Sequence, residues 1–222
     1  MCGTVGIEEP NSILLGGGSA AGKSRSSRIL LKLDSTEDDG DEVTIIDCDK
    51  IKERLPEYAD FYERYPETWA FLLHDESSDI SDKAIQKCIE TKRDFIYDGT
   101  MKNIEKYEKL ISQLKSQNYK VSAMIFDVPI KTALERNKKR HEIEGRFVPE
   151  EIVIETHMEV SRAFLKLKNL VDEFVLYDNR TEYPEIISLR WADSEEIVRD
   201  REKLQEFIDK STEIFRFTGT SL

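Results

Sequence analysis

Residues 13–24 read ILLGGGSAAGKS, an apolar run followed by a glycine-rich loop. Positions 17–24, called the P-loop below, fit the pattern G-x-x-x-x-G-K-[ST], in which backbone N–H groups close on a polyphosphate. Lys23 is placed to reach the β and γ phosphate oxygens, and the Ser24 hydroxyl can ligate Mg²⁺. The pattern therefore predicts a nucleotide-phosphate site formed by Gly17, Gly18, Ser19, Ala20, Ala21, Gly22, Lys23 and Ser24.

Apolar runs elsewhere in the chain predict four more strands. They are near-continuous, as in strands covered on both faces, and span residues 43–46, 95–97, 121–128 and 174–177. Helical periodicity separates them, at residues 80–89, at 104–114 after an Asn103 cap, from Pro149 to about 170, and from about 194 to 210. This alternation predicts right-handed crossovers. We therefore expect an α/β fold, a P-loop kinase-like three-layer sandwich whose mostly parallel five-stranded sheet has helices on both faces.

The length of 222 residues fits one domain, and we expect residues 1–222 to form a single P-loop domain. Its core should span about residues 12–179. The remaining segment, about residues 180–222, is expected to be a C-terminal appendage. The sequence does not decide whether this segment packs on the sheet.

The composition limits the classes of partner that the protein can bind and indicates its cellular compartment. The chain has 33 basic and 45 acidic residues, a net charge of −12, which disfavours nucleic acid and anionic lipid because both require a positive surface. No apolar run approaches the ~20 residues of a membrane span, and no secretory signal pattern is present. The three cysteines lack CxxC spacing and the three histidines lack an i,i+4 pair. We expect a cytoplasmic protein with reduced thiols.

Carboxylates follow two of the predicted strands directly. Asp47 and Asp49 come after the second, and Asp98 begins an Asp-Gly-Thr sequence that ends at Thr100 after the third. The carboxyl ends of parallel strands meet at the crevice where such sheets bind ligands. A carboxylate there can accept the proton of an acceptor hydroxyl, and Asp98 can bind Mg²⁺ through water or orient the acceptor. The same residues could instead form helix caps and a turn.

Three arginines follow the fourth predicted strand. Arg136 and Arg140 are four residues apart and share one helix face, and Gly145 should end that helix and leave Arg146 on a loop. Guanidinium groups neutralise the charge that spreads over the γ phosphate during transfer. We expect the three arginines to lie at the phosphates, with Arg136 binding ATP. The alternative for each arginine is a solvated helix face.

Taken together, these motifs resemble the zeta toxin family of P-loop kinases. The resemblance covers about residues 12–179 in the family's order, and its motifs are the P-loop, Asp47-Cys48-Asp49, His74-Asp75-Glu76-Ser77-Ser78, Asp98-Gly99-Thr100, and Arg140 followed by Gly145-Arg146-Phe147-Val148-Pro149. The family's best-known members phosphorylate a sugar hydroxyl of UDP-N-acetylglucosamine with ATP and Mg²⁺. A small antitoxin blocks their nucleotide site.

The resemblance implies a role for each matching position. Lys23 and Ser24 would hold ATP and Mg²⁺, and Asp49 would be the catalytic base. Arg140 and Arg146 would grip the transferring phosphate. Substrate contacts would come from Asp47, His74, Glu76, Ser77 and Thr100. One departure concerns a family carboxylate on the helix after residues 74–78, which has no clear match here because Lys83 lies near its position.

These observations favour an ATP-dependent kinase acting on a small molecule, with a nucleotide-sugar as acceptor. A first alternative keeps the enzyme and changes the acceptor to a dinucleotide such as NAD, a nucleoside or an antibiotic. A second alternative is a non-catalytic nucleotide-gated binding module, which would need neither Asp49 nor the arginines. The small antitoxin is a possible protein partner.

Overall fold

A seven-stranded sheet forms the centre of the computed structural model, which describes residues 9–32, 43–65, 68–144 and 148–212. Its strands are β1 (Asn11–Gly17), β2 (Thr44–Asp47), β3 (Phe95–Asp98), β4 (Lys120–Asp127), β5 (Glu173–Asp178), β6 (Glu185–Arg190) and β7 (Ile197–Val198). The order across the sheet is β2-β3-β1-β4-β5-β6-β7. The first five strands are parallel, and β6 and β7 are antiparallel.

The parallel strands are those that the apolar runs predict. Leu14, Leu15, Ile125, Phe126 and Leu176 are at most 1% exposed, so neighbouring residues of one strand are buried on opposite faces of the sheet. Both faces are therefore covered, as near-continuous apolar strands require. The predicted α/β fold with a mostly parallel sheet is confirmed, and two antiparallel strands extend the five expected ones.

Helices cover the sheet on both faces. Those in the described residues are α1 (Lys23–Leu30), α2 (Cys48–Lys52), α3 (Tyr58–Arg64), α4 (Trp69–Leu72), α5 (His74–Thr91), α6 (Ile104–Ser116), α7 (Ile130–Glu144), α8 (Glu150–Leu167) and α9 (Arg201–Thr212). The predicted cap of α6 is present, since the Asn103 side chain accepts the Lys106 N–H at 3.0 Å. Each helix of the described part is too short or too polar to cross a membrane.

The segment after β5 joins the sheet and the helical layer. Strand β6 pairs with β5, and β7 pairs with β6. The expected last helix began near residue 194, but Ile197 lies in β7 opposite Leu189, and α9 begins only at Arg201. From α9, the Phe207 ring packs on Phe164 of α8 with centroids 5.8 Å apart. Ile197, which the helical periodicity assigned to the last helix, is thus in a strand because it pairs with β6.

Candidate active site

The P-loop connects β1 to α1 in a conformation that depends on small residues. Gly22, the N-cap of α1, has a φ of 79°, a left-handed value that favours glycine. A Cβ at this position would also lie 2.7 Å from the Asn179 side-chain nitrogen. Ala20 has a φ of 59°, a strained value for a residue with a side chain. The loop is therefore a tight, specific turn at the carboxyl end of β1.

Hydrogen bonds from distant segments fix the carbonyl groups of this loop. His157 Nε2 lies 3.0 Å from the Ser19 carbonyl oxygen, and Asn179 Nδ2 donates to the Ala21 carbonyl at 2.6 Å. The Thr156 hydroxyl accepts the Ser19 N–H at 3.0 Å. In the first turn of α1, N–H groups have no intrahelical acceptor and form a ready anion site. The loop is thus held in shape by the protein, with the start of α1 available to a phosphate.

Lys23, Ser24 and Asp98 meet at the floor of the site. The Lys23 ammonium forms an ion pair with Asp98, and the Ser24 hydroxyl donates to the other Asp98 oxygen at 3.2 Å. Burial lowers the pKa of Lys23 to about 8, although nearby Asp47 and Asp49 raise it. A hydroxyl and a carboxylate are hard oxygen donors of the kind that Mg²⁺ prefers. Ser24 and Asp98 therefore fit the Mg²⁺ site that the sequence predicted.

The two aspartates after β2 have different positions. Asp47 is the N-cap of α2, and one of its oxygens accepts the N–H of Asp49 at 2.9 Å and of Lys50 at 3.2 Å. Asp49 has a half-exposed side chain, and Lys52 donates to its Oδ1 at 3.1 Å. The capping role that the sequence left open applies to Asp47. Both carboxylates line the cleft, and Asp49 is the one that does not cap the helix.

These groups line one cleft of about 740 Å³, a volume in the range of small-molecule sites. It brings together most of the residues predicted from the sequence. They are Gly17, Gly18, Ser19, Ala20, Ala21, Gly22, Lys23, Ser24, Asp47, Asp49, His74, Asp98, Thr100, Arg136 and Arg140.

Two residues predicted to contact the substrate lie away from this lining. His74 and Ser78 are four residues apart at the start of α5 and both line the cleft, as residues on one helix face do. Glu76 is exposed outside the lining, and the buried Ser77 hydroxyl donates to the His74 carbonyl at 2.8 Å. The helix phase turns both away, so the prediction for Glu76 and Ser77 lacks support from their positions. Arg146 lies outside the described residues.

The two described arginines of α7 occupy different places. Arg136 Nη2 donates to the Asn179 carbonyl at 2.9 Å, and its Nη1 lies 3.4 Å from the Ala21 carbonyl. Arg136 therefore braces the P-loop as well as lining the cleft. One turn further on, Arg140 lines the same cleft. Its role beside a transferring phosphate stays a prediction.

Several site residues escaped the sequence analysis. Thr156, Lys52, Lys102 and Lys106 line the cleft, and Asn179 holds the P-loop from the end of β5. The spacing of Lys52, three residues after Asp49 on one helical turn, was a usable indication. Thr156 has no counterpart in the sequence pattern, because the packing of α8 against the loop brings it there. The three lysines lie on α2, on α6 and in the turn before α6, and each is paired with a carboxylate, Lys52 with Asp49, Lys102 with Glu159 and Lys106 with Asp82.

The fold and the P-loop define the class of this protein. A parallel sheet in the order β2-β3-β1-β4-β5, with a phosphate-binding loop after β1 and carboxylates after β2 and β3, is that of a P-loop kinase-like protein. The zeta toxin family matches residues 4–188 of the chain. The chain belongs to the zeta toxin family.

The matched relatives agree with this assignment. The chain is 27% identical over 114 residues to toxin PezT of Streptococcus pneumoniae serotype 4 (strain ATCC BAA-334 / TIGR4), a match that spans 51% of this chain and 43% of PezT. A structure of the PezAT chromosomal toxin-antitoxin system of S. pneumoniae superposes with a TM-score of 0.64 at 17% identity, covering 94% of this chain and 88% of the other.

A further solved relative has the same fold. The complex of AvrRxo1-ORF1 and AvrRxo1-ORF2, solved with ATP, superposes with a TM-score of 0.72 at 16% identity, covering 93% of this chain and 65% of the other. At such identities the superpositions establish the fold alone. The matched stretch of PezT is also less than half of that protein.

Proposed function

We propose that the protein is an ATP-dependent kinase that transfers the γ phosphate to a hydroxyl of a nucleotide-sugar, with UDP-N-acetylglucosamine as the first acceptor to test. One observation carries this proposal. The Asp49 carboxylate lines the same cleft as the P-loop lysine Lys23. An acceptor hydroxyl between them would have a base on one side and a phosphate held on the other.

Each group then has a chemical role. Asp49 accepts the proton of the acceptor hydroxyl, while the ammonium of Lys23 and the guanidinium of Arg140, joined by Arg146, stabilise charge on the transferring phosphate. Mg²⁺ held by Ser24 and Asp98 would supply further neutralisation of the phosphate oxygens. ATP as the donor is supported by the P-loop itself and by the AvrRxo1 complex solved with ATP.

The lysines that line the cleft bear on the choice of acceptor. Lys52, Lys102 and Lys106 line it together with His74 and Thr100, and each lysine is paired with a carboxylate, that of Asp49, Glu159 and Asp82 respectively. Burial, followed by the charge of Lys52, lowers the pKa of His74, which favours the neutral form of this histidine. The phosphates of an acceptor would replace these carboxylate partners, and the neutral polar groups suit its sugar. A dinucleotide, a nucleoside or an antibiotic stays the alternative acceptor.

The wider biological assignments are also proposals. We take residues 1–222 as one kinase domain, with residues 180–222 as its C-terminal part. A small antitoxin is the proposed protein partner, because PezT belongs to a toxin-antitoxin system. We also propose a cytoplasmic location, because the proposed reaction uses ATP and a nucleotide-sugar. Nucleic acid is disfavoured as a partner by the net charge of −12.

The experiment is a transfer assay with a matched pair of acidic variants. The purified chain is incubated with ATP, Mg²⁺ and a panel of nucleotide-sugars, dinucleotides, nucleosides and antibiotics, and products are scored by a phosphate mass shift. Asp49→Asn should reduce transfer by about 10²–10⁴-fold, the usual contribution of a positioned base, and leave ATP affinity near its original value. Glu53→Gln is the control, since Glu53 pairs with Lys50 at the surface.

The outcomes separate the kinase from the binding module. A phosphorylated product that disappears in Asp49→Asn and persists in Glu53→Gln supports the kinase and names its acceptor. If no member of the panel is phosphorylated and ADP release is indifferent to every acceptor, the kinase proposal fails. ATP binding without any transfer, unchanged by Asp49→Asn, would favour a nucleotide-gated module.

A further inference from the structure

A buried lysine of α9 is paired beneath the nucleotide site. The Lys210 ammonium donates to both oxygens of Asp127, at 2.8 and 2.6 Å, and to the Val128 carbonyl at 2.8 Å. Its side chain and that of Asp127 are each only 8% exposed. A buried charge of this kind is retained only when its hydrogen bonds are made, and Lys210 uses all three of its donors. Helix α9 is therefore joined to the carboxyl end of β4.

The same carboxylate faces a buried histidine that touches the P-loop. Asp127 Oδ1 lies 3.8 Å from Nδ1 of His157, in contact with the ring but too far for a hydrogen bond. The other ring nitrogen, Nε2, lies 3.0 Å from the Ser19 carbonyl oxygen. A carbonyl oxygen can only accept, so Nε2 carries its hydrogen and donates to Ser19. The ring also fills the space beside Gly18, where a Cβ would lie 2.4 Å from it.

We propose that Lys210, Asp127 and His157 form a positioning relay for the P-loop, through which the last helix takes part in binding the ATP phosphates. This inference rests on the proposed function, because it assigns residues that shape the proposed ATP site. None of the described residues of α9 lines the cleft. The relay therefore acts through the loop, and its three members are positioning residues.

The physical reason lies in the strained shape of the loop. Ala20, next to Ser19, has a φ of 59°, a conformation that persists only when neighbouring contacts enforce it. The His157 hydrogen bond fixes the preceding carbonyl, and the ring beside Gly18 leaves no room for the chain to shift towards α8. Lys210 holds the Asp127 carboxylate in place beside the imidazole. Loss of either His157 or Lys210 should allow the P-loop to leave the conformation that binds phosphate.

The test compares ATP affinity with stability in the full chain. His157→Leu removes the donor, whereas His157→Gln replaces it with an amide N–H of similar reach. Lys210→Met removes the ammonium. Ser161→Ala is the matched control, because its hydroxyl ties α8 to the Phe207 carbonyl of α9 at 2.5 Å without touching the relay. The dissociation constant of ATP with Mg²⁺ is measured by calorimetry, and the melting temperature by circular dichroism.

The relay predicts a selective loss of ATP affinity. His157→Leu and Lys210→Met should weaken ATP binding by about 3- to 30-fold, the range for residues that act on a site without touching the ligand. His157→Gln should stay within about threefold of the original chain, within that same scale. Ser161→Ala should lower the melting temperature and leave ATP affinity unchanged. A role confined to stability would instead make affinity follow melting temperature across all four variants.

Two results would overturn the relay. One is a folded His157→Leu variant that binds ATP as tightly as the original chain, which decides the matter even if Lys210→Met fails to fold. The other is an equal loss of affinity in Ser161→Ala. Failure of the proposed ATP site gives a different result, because the original chain would then bind ATP no better than Lys23→Ala does. Failure of the transfer step alone is seen in the acceptor assay and leaves the measured ATP affinities unchanged.

Discussion

Replacement of Asn179 is the clearest test of whether hydrogen bonds from a distant part of the chain hold the P-loop in its conformation. It follows β5, is only 3% exposed, and makes two side-chain hydrogen bonds inside the protein. Its Nδ2 donates to the Ala21 carbonyl at 2.6 Å, and its Oδ1 accepts from the Ser26 hydroxyl at 2.8 Å. Asn179→Ala removes both hydrogen bonds at once and leaves the sequence of the P-loop itself unchanged.

The expected cost follows from these contacts. The bond to the Ala21 carbonyl contributes about 1 kcal/mol, and the buried Ser26 hydroxyl left unpaired costs about 1–3 kcal/mol. The Ala21 carbonyl keeps a longer contact of 3.4 Å with Arg136, which offsets part of the penalty. We expect the free energy of unfolding to fall by about 2–3 kcal/mol. At about 2–4 °C per kcal/mol for a chain of this size, the melting temperature should fall by about 4–12 °C.

The assay is thermal unfolding with and without ATP. At about 100 times the dissociation constant, ATP should stabilise the original chain by about 2.7 kcal/mol, and a variant that binds tenfold more weakly should gain only about 1.4 kcal/mol. Asn169→Ala, an exposed change after α8, is the control and should stay within about 0.5 kcal/mol. If Asn179→Ala melts and responds to ATP as the original chain does, the argument that Asn179 fixes the loop is refuted.

Three further predictions concern packing and pH. Gly99→Ala would place a Cβ 2.2 Å from the Tyr107 hydroxyl oxygen, so a urea titration should show a loss of about 1–3 kcal/mol from overpacking. Burial lowers the pKa of Lys23 to about 8; ATP needs the ammonium, so calorimetry should show weaker binding as the pH rises above 8, and Lys23→Met should remove this dependence. Burial raises the pKa of Asp178, but hydrogen bonds from Lys203 and Arg180 leave this pKa below its ordinary value. The ionised carboxylate then stabilises the fold above its ordinary pKa, and this contribution is lost as the pH falls through the depressed pKa, so Asp178→Asn should flatten the acid side of the stability curve.

Each of these has a plain contrary result. Gly99→Ala with unchanged urea stability would mean that Tyr107 moves without cost. An ATP affinity that stays constant from neutral pH to above 9 would contradict the assigned role of the Lys23 ammonium. Equal acid sensitivity in Asp178→Asn and the original chain would mean that other carboxylates govern acid unfolding.

Local patterns were sufficient for much of the fold and for one half of the site. The P-loop could be identified because strand, loop and helix are contiguous, and the Asn103 cap because capping is a contact over three residues. The family resemblance pointed to Asp49 and Arg140, which do line the cleft. Glu76 and Ser77 could not be placed, because their direction depends on the phase of α5, which begins only at His74.

The same limit applies to the end of the chain. Ile197 fits a helical stripe in the sequence, yet it lies in β7 because the edge of β6 offers backbone hydrogen bonds to it. Whether residues after 179 pack on the sheet was likewise open. Pairing of β5 with β6 and the buried ion pair of Lys210 with Asp127 decide it, and both involve residues far apart in the sequence.

By itself the sequence predicted a nucleotide-phosphate site on an α/β scaffold, since a P-loop is a local backbone conformation that glycine, lysine and serine encode directly. Only the tertiary structure decided what holds the loop and which aspartate caps α2. The side-chain partners of Ser19 and Ala21 lie 115 to 158 residues further along the chain. Packing of the sheet and α8 brings them together, and no spacing in the sequence records that approach.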